Sequence, residues 1–160
     1  MDRINRILKN ESYREYLYKN SQEESGRIFC CHNIGHFLDV ARIAMILNQQ
    51  DGYGQEREMI YAAALLHDIG RWKQYQEGTP HEVASAGLSP AILSQCGFGE
   101  GEREAVLVAV GNHRNPSVKE EKSLSGLLYR ADKLSRPCFA CEAEKECGWV
   151  AEKKNLELAI

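Results

Sequence analysis

No stretch of this sequence approaches the roughly 20 consecutive apolar residues that a membrane-spanning helix needs, and Met1-Asp2-Arg3-Ile4 is not followed by the apolar core of an export signal. A membrane partner is therefore not expected, and a cytoplasmic location is. Positive charge is also lacking. A net charge of −3 gives no general attraction to nucleic acid or anionic lipid, so nucleic acid is not the expected partner. Strand-type alternation is scarce, and no segment repeats at a solenoid period or shows low complexity, which argues against β-sandwiches and repeat arrays. What remains, 43% apolar and 27% charged residues, is the composition of an ordinary globular chain. A chain of 160 residues suits one domain with a real core.

Helical spacing is what is present. Ile4, Ile7 and Leu8, then Val40, Ile43, Ala44 and Leu47, recur at intervals of three and four. Breaks fall at Asp51-Gly52-Tyr53-Gly54, Gly78-Thr79-Pro80, the glycine-rich run 97–101, Asn115-Pro116 and Arg136-Pro137. The pattern predicts an all-α, compact bundle of about seven helices, near 2–20, 34–50, 56–69, 81–96, 101–113, 121–136 and 142–158. The polar stretch 21–26 reads as a connection between a leading helix and the main body.

Three of these helices carry polar groups on apolar faces. His36 lies four residues before Val40 and seven before Ile43, on the inward side. Ala62 to Leu66 runs straight into His67-Asp68-Ile69-Gly70, and Leu124, Leu128 and Ala131 lead to Asp132. Burying carboxylates without partners is costly, and a divalent cation would satisfy all four groups at once. Each residue also has an ordinary explanation. His36 could be a hydrogen-bonded core histidine, His67-Asp68 a helix-end cap with an ion pair, and Asp132 a partner of Arg130 or Lys133. Three separate coincidences at the ends of apolar stripes explain the pattern less well than one site does.

His36-Phe37-Leu38-Asp39-Val40-Ala41, Ala64-Leu65-Leu66-His67-Asp68-Ile69-Gly70-Arg71 and Ala131-Asp132-Lys133-Leu134 together resemble the motifs of the HD-domain metal-dependent phosphohydrolases. The resemblance covers roughly residues 30–136, flanked by the helix at 2–20 and a cysteine-containing helical segment at 137–160. It implies the family's helical bundle, with His36, His67, Asp68 and Asp132 as metal ligands. Two-metal members also use histidines in the intervals occupied here by His81 and His113, with the aspartate of the His-Asp pair, here Asp68, bridging both ions. With one metal instead, His81 and His113 would contact phosphate or donate protons. His32 has i, i+4 spacing to His36, but Asn33 replaces the glutamate of a zincin motif. Asn33 is the expected N-cap, leaving His32 near the pocket rim.

The implied activity is hydrolysis of a phosphomonoester or phosphodiester, with a small-molecule nucleotide as the expected substrate, by attack of metal-activated water. His67 and Asp68 are the expected catalytic pair, and one or two divalent ions of manganese, iron, cobalt, nickel or zinc are the expected cofactors. Arg71, Lys133 and Arg114 are candidate phosphate contacts, with Lys73 and Arg136 behind them. Trp72 and Tyr75 could stack on a base, although packing is the commoner role at such spacing. The Gly-Tyr-Pro signature of the cyclic-dinucleotide branch is absent. The competing reading is a non-catalytic nucleotide- or metal-binding sensor or regulatory module, and a purely structural adaptor is a third. A homo-oligomer is left open.

Cys138-Phe139-Ala140-Cys141 followed by Cys147 has the spacing of a zinc or iron–sulfur ligand set but supplies three ligands. A fourth could come from Cys30 or Cys31, or from a partner chain. The alternative is reduced cysteines packing a C-terminal helix, and Cys96 reads as a small core residue.

Overall fold

The computed structural model describes residues 1–160 and contains eight α-helices and no strand. They are α1 (Asp2–Lys9), α2 (Glu11–Glu23), α3 (Ile34–Gln50), α4 (Arg57–Leu66), α5 (Arg71–Glu77), α6 (His81–Gln95), α7 (Glu100–Asn112) and α8 (Leu124–Leu134). Single 3-10 turns lie at Pro116–Val118, Cys138–Ala140 and Ala151–Lys153. No helix is long and apolar enough to cross a membrane.

Helix α4 is the axis of the bundle. Met59, Ile60 and Ala62 to Leu66 are all buried, so the helix is apolar on every side and packs against α1, α3, α6, α7 and α8. The small side chains of Ala62, Ala63 and Ala64 let these neighbours approach, while Ile60, Leu65 and Leu66 each gain about 1.5–3 kcal/mol from burial. One contiguous core of 28 residues results, drawing on every helix except α5.

The expected helix over 2–20 is two helices. Asn10 takes extended backbone angles and its side chain accepts from the Tyr13 backbone N–H at 3.1 Å, which starts α2 afresh. Helix α5 was not expected between the breaks: it is seven residues long, and only Trp72 on it is buried. The largest departure is the C-terminal segment. The helix expected over 142–158 does not form, because these residues offer no apolar stripe to the core and Ala143 is their one buried residue. Instead Asn155 reaches back and donates to the carbonyls of Lys133, Leu134 and Arg136 at 2.8, 3.2 and 3.0 Å, satisfying the free end of α8.

Gly70 decides how α4 meets α6. A Cβ at this position would stand 2.5 Å from the Ser85 backbone nitrogen and 2.7 Å from the Ala84 Cβ. The close approach lets the Gly70 N–H donate to Ser85 Oγ at 2.9 Å and fixes the turn that carries His67 and Asp68.

Candidate metal centre

Six side chains from five parts of the fold converge at one end of the bundle. Asn33 caps α3 by accepting from the His36 N–H at 3.2 Å, and His36 projects from that first turn. His67 closes α4, and Asp68 follows it. His81 opens α6, His113 closes α7, and Asp132 lies on the last turn of α8. The side chains fall into two groups, each with ligand atoms within 4.8 Å of one another: His36, His67 and Asp132, then Asp68, His81 and His113.

Asp68 joins the two groups. Its Oδ2 lies 3.4 Å from His67 Nε2 and 3.9 Å from His36 Nε2, while its Oδ1 lies 3.2 Å from His81 Nε2 and 3.4 Å from His113 Nε2. Asp132 Oδ1 completes the first group at 3.6 Å from His36 Nε2 and 3.8 Å from His67 Nε2.

The hydrogen bonds behind the rings decide what they can do. His67 Nδ1 donates to the Ala64 carbonyl and His113 Nδ1 to the Val110 carbonyl, both at 2.7 Å. Ser135 Oγ donates to the Asp132 carbonyl at 2.8 Å, so it accepts from His36 Nδ1 at 3.3 Å. His81 Nδ1 donates to Gln74 Oε1. Arg71 Nη1 also stands 2.9 Å from that nitrogen and could only donate to it; the Gln74 contact is the shorter, and Gln74 Oε1 also accepts from the His81 backbone N–H at 3.3 Å, so it fixes the tautomer. In neutral rings each Nε2 then carries a lone pair. Two such pairs face each other at 3.3 Å (His36, His67) and 3.2 Å (His81, His113). Neither contact is a hydrogen bond without a proton between them, and Asp68 Oδ1 is buried with no hydrogen-bond partner at all. Divalent cations fit this donor set: neutral imidazole nitrogens backed by carbonyls, two carboxylates, and an orphaned oxygen between the second pair of rings.

Protonation states agree with that chemistry. Burial pushes His67 down to about 4 and His81 down to about 3, against the pull of Asp68, and burial also lowers His36. Burial would raise both aspartates. The neighbouring His67 and His32 nonetheless hold Asp68 well below the carboxylate range, and Lys133 and His67 do the same for Asp132. His113 moves the other way: burial would lower it, but the neighbouring carboxylates of Asp68 and Asp132 outweigh that.

The surroundings were partly missed by sequence. His32 is not on the rim: its Nε2 is 3.7 Å from Asp68 Oδ2, and Glu24 grips it through Oε2 to the backbone N–H at 2.6 Å and Oε1 to Nδ1. Glu24 also accepts from Tyr75 Oη at 2.8 Å. Asn20 Nδ2 donates to the Asp68 carbonyl and Asn20 Oδ1 accepts from the Trp72 N–H, both at 2.9 Å, so this buried amide fixes the turn after Asp68. Both residues fall in the stretch expected to be a helix end and a flexible connection. A signal was there: Tyr13, Leu17, Asn20 and Glu24 share one helical stripe, and polar groups on such a stripe need partners.

Arg71 stands at the site, its Nη2 2.8 Å from His32 Nε2. Lys133 Nζ pairs with Asp132 Oδ2, and Arg114 pairs with Glu82 at 3.3 Å. Arg130 is drawn away to Asp51 and Tyr53, which leaves Lys133 as the ion-pair partner of Asp132. Lys73 pairs with Glu77, and Arg136 reaches the Lys153 carbonyl. Trp72 is buried and stacked against Tyr16, so it is a packing residue, while Tyr75 serves Glu24. A cavity of about 890 Å³ opens above His36, Asp68, His81, His113 and Asp132, with Arg71, Arg114 and Lys133 in its wall.

The HD-domain family model matches residues 33–136, which contain all six of these side chains. The chain belongs to the HD-domain family. That family is a superfamily of metal-dependent phosphohydrolases whose members generally hold divalent metals, and the two His/Asp groups of this HD-domain chain could hold such ions. A protein of Clostridium beijerinckii, named only as an uncharacterized protein, is 45% identical over 158 residues, covering 99% of each chain. No solved structure matches.

Proposed function

We propose that this HD-domain chain is a hydrolase of phosphate esters or anhydrides, with nucleotides as its substrate class and two divalent transition-metal ions as its cofactors. The observation that carries the reading is Asp68, whose two oxygens face separate imidazole groups and whose buried Oδ1 has no hydrogen-bond partner. In this reading His36, His67 and Asp132 would hold one ion and His81 and His113 the other, with Asp68 contributing to both. Such ions supply Lewis acidity, lowering the pKa of water and offsetting charge on phosphoryl oxygens.

The protein's own share is positioning. Carbonyls at Ala64 and Val110 hold His67 and His113 in one tautomer, and Asn20 holds the Asp68 backbone. Arg71, Lys133 and Arg114 are the cations on the cavity wall available to phosphate oxygens. The cavity volume of about 890 Å³ lies within the range of small-molecule pockets and suits a nucleotide.

The test begins with metal content per chain in protein purified without chelator or affinity-tag histidines, for the wild type and Asp68→Ala. About two equivalents more in the wild type than in the variant support the reading and lead to a screen of nucleotides and other phosphomonoesters and diesters for released phosphate. Equal metal content in the wild type and Asp68→Ala after reconstitution with manganese, iron or zinc sinks it. Metal with tight nucleotide binding and no turnover replaces it with a regulatory module.

A further inference from the structure

The segment after α8 is held to the body in an unusual way. Its large apolar side chains Phe139, Trp149, Val150 and Leu158 are more than half exposed, so hydrophobic burial does not fold it. The residues it turns inward are Cys138, Cys141, Ala143, Glu144, Cys147, Lys154 and Asn155. A segment that hides its thiols and shows its aromatics needs another source of order, and in short segments without a core that source is a disulfide or a metal. All six cysteines of the chain are free thiols.

We infer that Cys30, Cys138, Cys141 and Cys147 form a tetrathiolate zinc site, separate from the His/Asp centre, that clamps the C-terminal segment onto the loop before α3. All four line the large cavity. Cys138 and Cys141 present the two-residue spacing of a zinc knuckle, on a 3-10 turn whose Cys141 N–H donates to the Cys138 carbonyl at 3.2 Å. The fourth position distinguishes the adjacent pair Cys30 and Cys31. Cys30 lies near Cys138 and Cys141, which together with burial raise its thiol. Cys31 instead turns to the Phe29 carbonyl at 3.5 Å and feels Glu24 and Arg27.

Four thiolates and one zinc ion carry a net charge of −2. Arg136, Lys153 and Lys154 line the same cavity and offset it. No three of the thiols yet lie within 4.8 Å of one another, unlike the His/Asp groups, so zinc would draw the segment around Gly148 inward. That segment has no α-helix to resist the movement.

The test uses the full chain with Asp68→Ala to disable the His/Asp centre. About one zinc per chain should remain in Asp68→Ala and fall to none when Cys138→Ser or Cys147→Ser is added. Cobalt replacing that zinc should give a thiolate-to-metal charge-transfer band, kept in Asp68→Ala and lost in Cys138→Ser. Should the serine variants not fold, a thiol reagent on the wild type decides: Cys30, Cys138, Cys141 and Cys147 should be protected until a chelator is added, then react together. Absence of zinc from Asp68→Ala with these thiols reactive from the start overturns the site. Iron with inorganic sulfide in place of zinc overturns it equally.

Discussion

Gly70→Ala should unfold this protein more readily and disable its metal centre with one methyl group. The new Cβ would meet the Ser85 backbone nitrogen at 2.5 Å and the Ala84 Cβ and carbonyl carbon at 2.7 and 2.8 Å, all fixed parts of α6. Ordinary contact begins near 3.4 Å, so the turn must retreat by about 0.9 Å. The Gly70 N–H to Ser85 Oγ bond, now 2.9 Å, would then stretch beyond hydrogen-bonding range. Overpacking costs about 1–3 kcal/mol, and an unsatisfied buried N–H costs about 1–3 kcal/mol more. A total near 4 kcal/mol lowers the midpoint of thermal unfolding by roughly 10 °C for a chain of this size. Because Asp68 lies two residues upstream on the same turn, metal content should fall as well. Thermal unfolding followed by circular dichroism, with metal analysis alongside, measures both. A midpoint within about 2 °C of wild type, with metal content intact, would refute the argument that close packing at Gly70 sets the position of Asp68.

Divalent metal should raise the unfolding midpoint of the chelated protein: at one hundred times its dissociation constant a ligand adds about 2.7 kcal/mol. With manganese, which thiolates do not favour, Asp68→Asn should abolish that rise, and an undiminished rise would place the metal elsewhere. The metal-free protein should lose stability as pH falls from about 6.5, because His67 at about 4 and His81 at about 3 stay neutral in the fold while the unfolded chain takes up protons. His67 alone contributes on the order of 3 kcal/mol by this linkage, present above pH 6.5 and lost toward pH 4. His113, shifted upward, opposes part of it. Denaturant midpoints across that range check the slope, and a flat profile contradicts the tautomers drawn above. Glu24→Gln should cost about 1–3 kcal/mol by weakening the grip on His32, and with it reduce turnover of any phosphate substrate found. Equal stability and turnover in the variant would show that the Glu24–His32 contact is idle.

The sequence by itself determined the helical class, because periods of three and four, with glycine and proline punctuation, leave a chain little other way to bury its apolar residues. It also singled out His36, His67, Asp68 and Asp132, since ligand-type residues at the ends of apolar stripes are visible in one dimension. Tertiary structure alone decided the rest. That Asp68 turns one oxygen to each group depends on the Gly70–Ser85 contact and on Asn20, residues 15 and 48 positions away from their partners. The roles of Glu24 and His32, the tautomer of His36, and the pairing of Lys133 rather than Arg130 with Asp132 are likewise set by the folded arrangement. The C-terminal segment makes the same point in reverse: its local spacing suggested a helix, but a short helix is stable only when a face is buried, and the core leaves none for it.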